Sequence, residues 1–248
     1  MKKYAIQLYS VRKALEEDFE GTLRRLAEMG YDGVEFCGNY GGYDGKELSA
    51  FLNHIGLDVV SAHLDYEACL DNLDYHLDIL RGTGCDLVVC PWINVKTKED
   101  EQTVIANLLK IAENCLMKGF QFAYHNHAWE LERKDENGNI LDKFMEGADP
   151  LLLAELDVGW IGAVGENPED YIRKYAGRVV ALHLREIEKR DDKSVDVLFD
   201  KGPVDLKSVI QTGDKMGVSY YIVEHETSEE NAMEDAEIII NQLKELKL

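Results

Sequence analysis

Short apolar runs of strand length recur along the chain: Tyr4–Leu8, Gly33–Cys37, Asp58–His63, Asp86–Pro91, Phe120–His125, Leu151–Asp157, Val179–Leu184 and Tyr220–His225. Between them lie segments with apolar residues three and four apart, such as Leu23-Leu26-Met29, Leu48-Phe51-Leu52-Ile55, Leu73-Leu77-Leu80 and Val104-Leu108-Ile111-Cys115. That spacing predicts helices with one buried stripe. The pattern continues with Tyr171-Ile172-Tyr175, Leu206-Val209-Ile210 and Ile238-Ile239-Leu243, and is faintest at Ile140-Leu141-Phe144-Met145. Glycine closes many of these helical segments, as at Met29-Gly30, Ile55-Gly56, Lys118-Gly119, Ala176-Gly177 and Met216-Gly217, where a left-handed cap is expected. Eight strand-helix units with no linker or low-complexity tract predict one α/β domain over residues 1–248, a (β/α)8 barrel. A doubly wound open sheet predicts a similar string, and periodicity alone does not separate the two.

Side chains two apart on a strand share a face. The sets Gln121-Ala123-His125-His127, Leu153-Glu155-Asp157, Val179-Ala181-His183 and Tyr220-Ile222-Glu224 are mostly apolar early and turn polar at their C-terminal ends. Gln7, Glu35 and His63 (behind Val59 and Ser61) repeat the trend. A barrel gathers the C-terminal strand ends at one mouth. His125, Asp157, His183 and Glu224 are therefore expected to converge although 32, 26 and 41 residues separate them. Two imidazoles and two carboxylates buried together are costly unless paired or holding a cation. The mixed N/O set suits Mn2+, Zn2+, Fe2+ or Co2+ better than Ca2+ or Mg2+.

A net charge of −21 argues against a polyanion partner, because phosphate contacts need Lys and Arg. No run of apolar residues is long enough to span a membrane, and the basic start Met1-Lys2-Lys3 lacks the apolar core of a signal peptide. The five cysteines form no CxxC pair and are read as reduced, which places the chain in the cytoplasm. No Walker loop or GxGxxG is present, so no nucleotide cofactor is expected.

Taken together, Ile6-Gln7-Leu8-Tyr9-Ser10-Val11-Arg12, Gly33-Val34-Glu35-Phe36, Ser61-Ala62-His63, Tyr124-His125-Asn126-His127, Glu155-Leu156-Asp157-Val158-Gly159-Trp160, Leu182-His183-Leu184 and Tyr221-Ile222-Val223-Glu224 resemble the sugar phosphate isomerase/epimerase family of xylose-isomerase-like TIM barrels. The resemblance covers nearly the whole chain. It implies one Mn2+-type ion at the barrel mouth, held by His125, Asp157, His183 and Glu224, the four that parity had already brought together. Three departures stand out. His125 occupies a place where the sugar epimerases usually carry glutamate. Trp160 replaces a histidine of the common Leu-Asp-Thr-Gly-His pattern, which with the charge speaks against the superfamily's nucleases. Arg185-Glu186 replaces the Lys-Asp that follows strand seven in close relatives.

The chemistry implied is proton removal beside a polarised carbonyl, giving an enediolate, with Glu224 as base and His63 or His127 returning the proton. Gln7, Glu35, Trp92, Trp160 and Arg185 are the expected substrate contacts, the tryptophans by stacking on an apolar sugar face. Glu35 and Glu155 also suit a role in orienting ligands from behind. His54, His76 and His225 are read as helical or solvent-facing, without function. The leading expectation is a metal-dependent isomerase or epimerase of a ketose or keto-sugar; a dehydratase of a keto-inositol-like polyol follows, and a non-catalytic metal-retaining barrel is third. The expected partner is a small carbohydrate, with no nucleic acid or membrane and with a homo-oligomer left open. Nothing in the residues themselves supports a phosphorylated substrate.

Overall fold

The eight apolar runs close into one parallel barrel in the computed structural model, which describes residues 3–191, 193–199, 201–226, 230–246 and 248. Its strands are β1 (Ala5–Gln7), β2 (Gly33–Phe36), β3 (Asp58–His63), β4 (Leu87–Cys90), β5 (Gln121–His125), β6 (Leu152–Asp157), β7 (Val179–Leu184) and β8 (Tyr220–Val223). Neighbours follow the order β1-β8-β7-β6-β5-β4-β3-β2, so the open-sheet alternative is excluded. Observed and expected strands agree within two residues at every end. Met1 and Lys2 of the basic start lie outside the described residues.

The outer layer comprises α1 (Phe19–Met29), α2 (Gly45–Ile55), α3 (Leu73–Thr83), α4 (Lys98–Met117), α5 (Ile140–Gly147), α6 (Pro168–Lys174), α7 (Leu206–Met216) and α8 (Ala232–Glu245). The expected stripes are the buried ones: Leu23 and Leu26, Leu48 and Leu52, Leu77 and Leu80, Leu108 and Ile111. Each such side chain contributes about 1.5–3 kcal/mol by leaving water. The chain turns out of α1 at Gly30 and out of α7 at Gly217, with φ of 92° and 82°, a left-handed geometry that any Cβ would strain. Two antiparallel hairpins, Lys134–Asp135 with Gly138–Asn139 and Ile187–Arg190 with Lys193–Asp196, carry no alternating apolar pattern and were not expected.

Strict alternation fails at two places. The register shifts between Val34 and Glu35 against β3, and between Ala154 and Glu155 against β7. The shifts put one extra residue, Val60 or Val180, into β3 and β7, and these two pack with the barrel-interior side chains Ala5, Ile222, Leu87 and Ala123. Val59 and Val179, expected to face inward, pack instead in the outer core. A bulge inserts one residue and re-aims those that follow it on its own strand, here bringing His63 and His183 to the inner face beside Glu35 and Glu155.

Helices α2 and α3 cross at backbone contact: a Cβ on Gly82 would lie 2.4 Å from the Gly45 carbonyl carbon. Gly82→Ala is therefore expected to destabilise by about 3 kcal/mol and lower the Tm by roughly 10 °C. A Tm within a degree or two of the parent would show that the helices separate without cost.

Candidate functional site

The stretch Tyr124-His125-Asn126-His127 ends β5 with each residue facing differently. Tyr124 points into the outer core and donates its hydroxyl to Glu130 Oε1 at 2.7 Å, while the His127 backbone N–H donates to Glu130 Oε2 at 2.8 Å. Glu130 is buried, and burial pushes its carboxyl up to about 7. Asn126 ties β5 to β6: its Oδ1 accepts from the Asp157 N–H at 3.1 Å and its Nδ2 donates to the Asp157 carbonyl at 3.4 Å. His125 points inward, opposite Glu155 in register. Asp157 lies opposite His183 and caps the short helix Val158–Ala163, Oδ1 accepting from the Trp160 N–H at 2.8 Å. The other oxygen, Oδ2, is buried without a hydrogen-bond partner.

Four imidazoles gather at this mouth. The His125 and His183 rings are 4.5 Å apart, His125 and His127 4.9 Å, and His63 stacks on His183 at 5.3 Å. Two carboxylates sit beneath them. Glu155 Oε1 is 2.6 Å from His63 Nε2, 3.1 Å from His183 Nε2 and 3.3 Å from His125 Nδ1. Glu35 accepts from Gln7 Nε2 at 2.6 Å and Ser61 Oγ at 2.5 Å, and lies 2.8 Å from His183 Nε2. Above, His183 Nδ1 is 2.9 Å from Glu224 Oε2, and His125 Nε2 is 4.0 Å from Asp157 Oδ2. The two shared imidazoles thus face one carboxylate level with one nitrogen and the second level with the other.

Burial disfavours charge on every group here, and the ion pairs decide the outcome. His63 would be lowered by burial, but Glu35 and Glu155 outweigh it and raise it to about 10. His183 is likewise raised, by Glu155 and Glu35. For His127, burial with His125 beside it outweighs the pull of Glu224 and brings it down to about 2. Burial raises Asp157 to about 7 against the pull of Arg185. For Glu224, burial is overcome by Arg185 and His183, which hold the carboxyl well below its usual range.

Either of two buried quartets could hold a metal ion: His63, His125, Glu155 and His183, or His125, Asp157, His183 and Glu224, whose donor atoms lie within 4.8 Å of one another in each set. A cavity of about 500 Å3 opens over them, lined by His63, His125, His127, Glu224 and Trp92, the last half exposed. Tyr9, Cys37, Asp65 and Glu226 line it too and were missed. Asp65 and Glu226 each stand two residues beyond a singled-out group, His63 and Glu224, so strand alternation carried two residues further points to them. Tyr9 and Cys37 stand likewise two residues beyond Gln7 and Glu35, although the chain leaves β1 through a single 3-10 turn over Leu8–Val11.

Several expected contacts are placed elsewhere. Gln7 and Glu35 are fully buried below the cavity, because they bond to each other and to Ser61 and His183. Arg185 is 3% exposed, its guanidinium committed to carboxylates, and Trp160 packs over it at 5.2 Å rather than on the cavity wall. His76, on α3, is buried against the Tyr40 hydroxyl at 3.1 Å. His225 is buried as well, its backbone N–H donating to Ser10 Oγ at 3.1 Å. A smaller cavity of about 310 Å3 lies at the opposite end of the barrel beside Tyr220 and holds no histidine.

Residues 23–243 match the family model described as xylose isomerase-like TIM barrel. An inosose dehydratase of Clostridium botulinum (strain Alaska E43 / Type E3) is 28% identical over 196 residues, 69% of this chain and 64% of that protein. The chain thus spans a little under two thirds of that relative's length. An inosose dehydratase of Clostridium perfringens (strain ATCC 13124) is 27% identical over 210 residues, 75% of this chain and 69% of the relative. The crystal structure of a sugar phosphate isomerase/epimerase from Parabacteroides distasonis shares the fold, with a TM-score of 0.81, 21% identity and 98% coverage of both chains.

Proposed function

This chain belongs to the xylose isomerase-like TIM barrel family, and from that premise we propose that it is a divalent-metal-dependent dehydratase of a keto-inositol-like polyol. The isomerase or epimerase reading gives way because the curated relatives are named inosose dehydratases, which are lyases. The observation that carries a metal is Asp157 Oδ2, a buried carboxylate oxygen without a hydrogen-bond partner, 4.0 Å from His125 Nε2. We assign the ligands as His125, Asp157, His183 and Glu224. This quartet has two carboxylates to balance a dication, and His125 and Glu224 line the cavity. The alternative quartet has one carboxylate, already engaged by His63 at 2.6 Å. Glu155 and Glu35 then orient the imidazoles from behind, as carboxylates commonly do for metal-bound histidines.

A bound ion, Mn2+ foremost with Zn2+, Co2+ or Fe2+ fitting the same donors, supplies Lewis-acid polarisation of a substrate carbonyl. The chain's own groups handle the protons. Glu224, expected as the base, contacts His183 at 2.9 Å and Arg185 at 3.2 Å, which keep it ionised on the cavity wall, and it takes the proton from the carbon next to the carbonyl. His127, brought down to about 2 by burial, is too weak a base for that step and serves as a neutral hydrogen-bonding contact for the substrate. His63, kept protonated by Glu35 and Glu155, gives its proton to the hydroxyl leaving the following carbon. One C–H and one C–O bond break, a C=C bond forms and water departs. Trp92 offers a stacking surface for the ring's C–H face. The wall includes Asp65, Glu224 and Glu226 and, among the described residues, no Lys or Arg, which favours an unphosphorylated polyol.

Incubation with Mn2+ and a panel of keto-inositols and ketoses in D2O tests this. Mass spectrometry is expected to show loss of water from a keto-inositol. Deuterium exchange without water loss would return the site to an isomerase or epimerase, and neither event across the panel would leave the non-catalytic barrel.

A further inference from the structure

Arg185 stands two residues beyond His183, buried, where an unpaired guanidinium would be prohibitive. Its fork is bidentate on Asp196, with Nε and Nη2 both 3.1 Å from carboxylate oxygens, and Nη2 reaches Glu226 Oε1 at 2.7 Å. Nη1 approaches Glu224 Oε2 at 3.2 Å and Asp157 Oδ2 at 3.8 Å. One cation therefore answers two carboxylates assigned as ligands and two that are not. Asp196 reaches it from the unexpected hairpin Ile187–Arg190/Lys193–Asp196, and also accepts the Glu226 backbone N–H at 2.5 Å. The other positive partner of Glu224 is His183 at 2.9 Å.

We propose that Arg185 is a positioning residue, a resident counter-cation for Asp157 and Glu224 that lets the barrel mouth fold without its metal; this rests on the metal reading above. Like charges that converge in a buried site repel strongly, and a fixed guanidinium offsets that repulsion before any ion arrives. Once the dication is bound, the same guanidinium is a like charge beside it. Arg185 thus favours the metal-free protein more than the loaded one. Linkage makes the consequence definite: losing Arg185 must cost the metal-free state more stability, so the metal must bind the variant more tightly. A substrate clamp or a purely structural arginine has no such signature.

The test compares the Tm of wild type and R185M in Mn2+ and in EDTA, with Mn2+ affinity measured by calorimetry. The gap between the two conditions is expected to widen by about 5 °C in R185M, with Mn2+ bound about tenfold more tightly. Failure to fold in EDTA with recovery in Mn2+ is the same result in its strongest form. An equal gap in both proteins, or weaker Mn2+ binding by R185M, overturns the proposal. Should R185M fold in neither condition, D196N carries the test with the opposite sign. Freed from Asp196, the guanidinium leans on Asp157 and Glu224, and Mn2+ binding is expected to weaken several-fold; unchanged or tighter binding overturns the proposal. A wild type whose Tm ignores Mn2+, and which binds none by calorimetry, removes the metal reading and this inference with it.

Discussion

A His125→Ala/Glu224→Ala variant will bind no stoichiometric Mn2+ and will lose at least about 10³-fold in turnover, the equivalent of roughly 4 kcal/mol of transition-state stabilisation. The two residues come from different strand ends and together supply one imidazole and one carboxylate of the assigned quartet. Removing both leaves Asp157 and His183, too few donors to hold an ion against water. The measurement is metal content after gel filtration, with circular dichroism to confirm that the barrel persists. Full metal occupancy in the variant would sink the ligand assignment; because His125 belongs to both quartets, Glu224→Ala alone separates them, and full occupancy there would direct attention to the quartet built on His63 and Glu155. Full activity without metal would sink the Lewis-acid reading altogether.

The second large effect is expected at Glu155, which is fully buried and engages three imidazoles with one oxygen. Glu155→Gln removes the charge that faces His63 and His183 and should destabilise the metal-free protein by about 3–5 kcal/mol, a Tm loss of roughly 10 °C or more. The loss has a pH signature. His63 is raised from 6.5 to about 10, so its ion pairs contribute fully below pH 6.5 and the contribution fades as pH climbs toward 10. Glu155 is shifted the other way: burial opposes ionisation, but His183 and His63 hold it well below 4.5, so its share is present above 4.5 and vanishes as pH falls. The Tm difference between wild type and Glu155→Gln, measured in EDTA, should therefore be largest near pH 5–6 and shrink toward pH 10. A difference that is flat across that range would mean the imidazoles beside Glu155 are neutral in the folded protein.

Much of this was legible along the chain because it depends on local periodicity. The strands were expected almost where they lie, since a buried parallel strand needs a short apolar run whatever surrounds it. His125, Asp157, His183 and Glu224 could be named because each ends such a run with inward parity. That parity held through two bulges only because the bulges, at Val60 and Val180, fall before the polar ends of β3 and β7. Without the bulges, and with Val59 and Val179 facing outward as they do, His63 and His183 would have faced the helices. Glu35 shows the opposite case. Parity put it inside, but only its partners Gln7, Ser61 and His183 showed that it lies under the cavity rather than on its wall. Arg185 is similar: a cation two residues past a ligand suggests a substrate clamp until Asp196 and Glu226 are seen to occupy it.

The sequence by itself determined the order of elements, the face each strand end presents and the set of groups able to meet a metal, because periodicity of two and of about 3.6 follows from backbone geometry alone. Only the tertiary structure decided which nitrogen of each imidazole meets which carboxylate, and that His63 is charged while His127 is neutral. It alone showed that the stretch from Tyr124 to His127 is split between core, histidine–carboxylate cluster and cavity. Those outcomes depend on burial and on ion pairs between residues as far apart as 148 positions, such as Glu35 and His183, and such energies exist only once the barrel has closed.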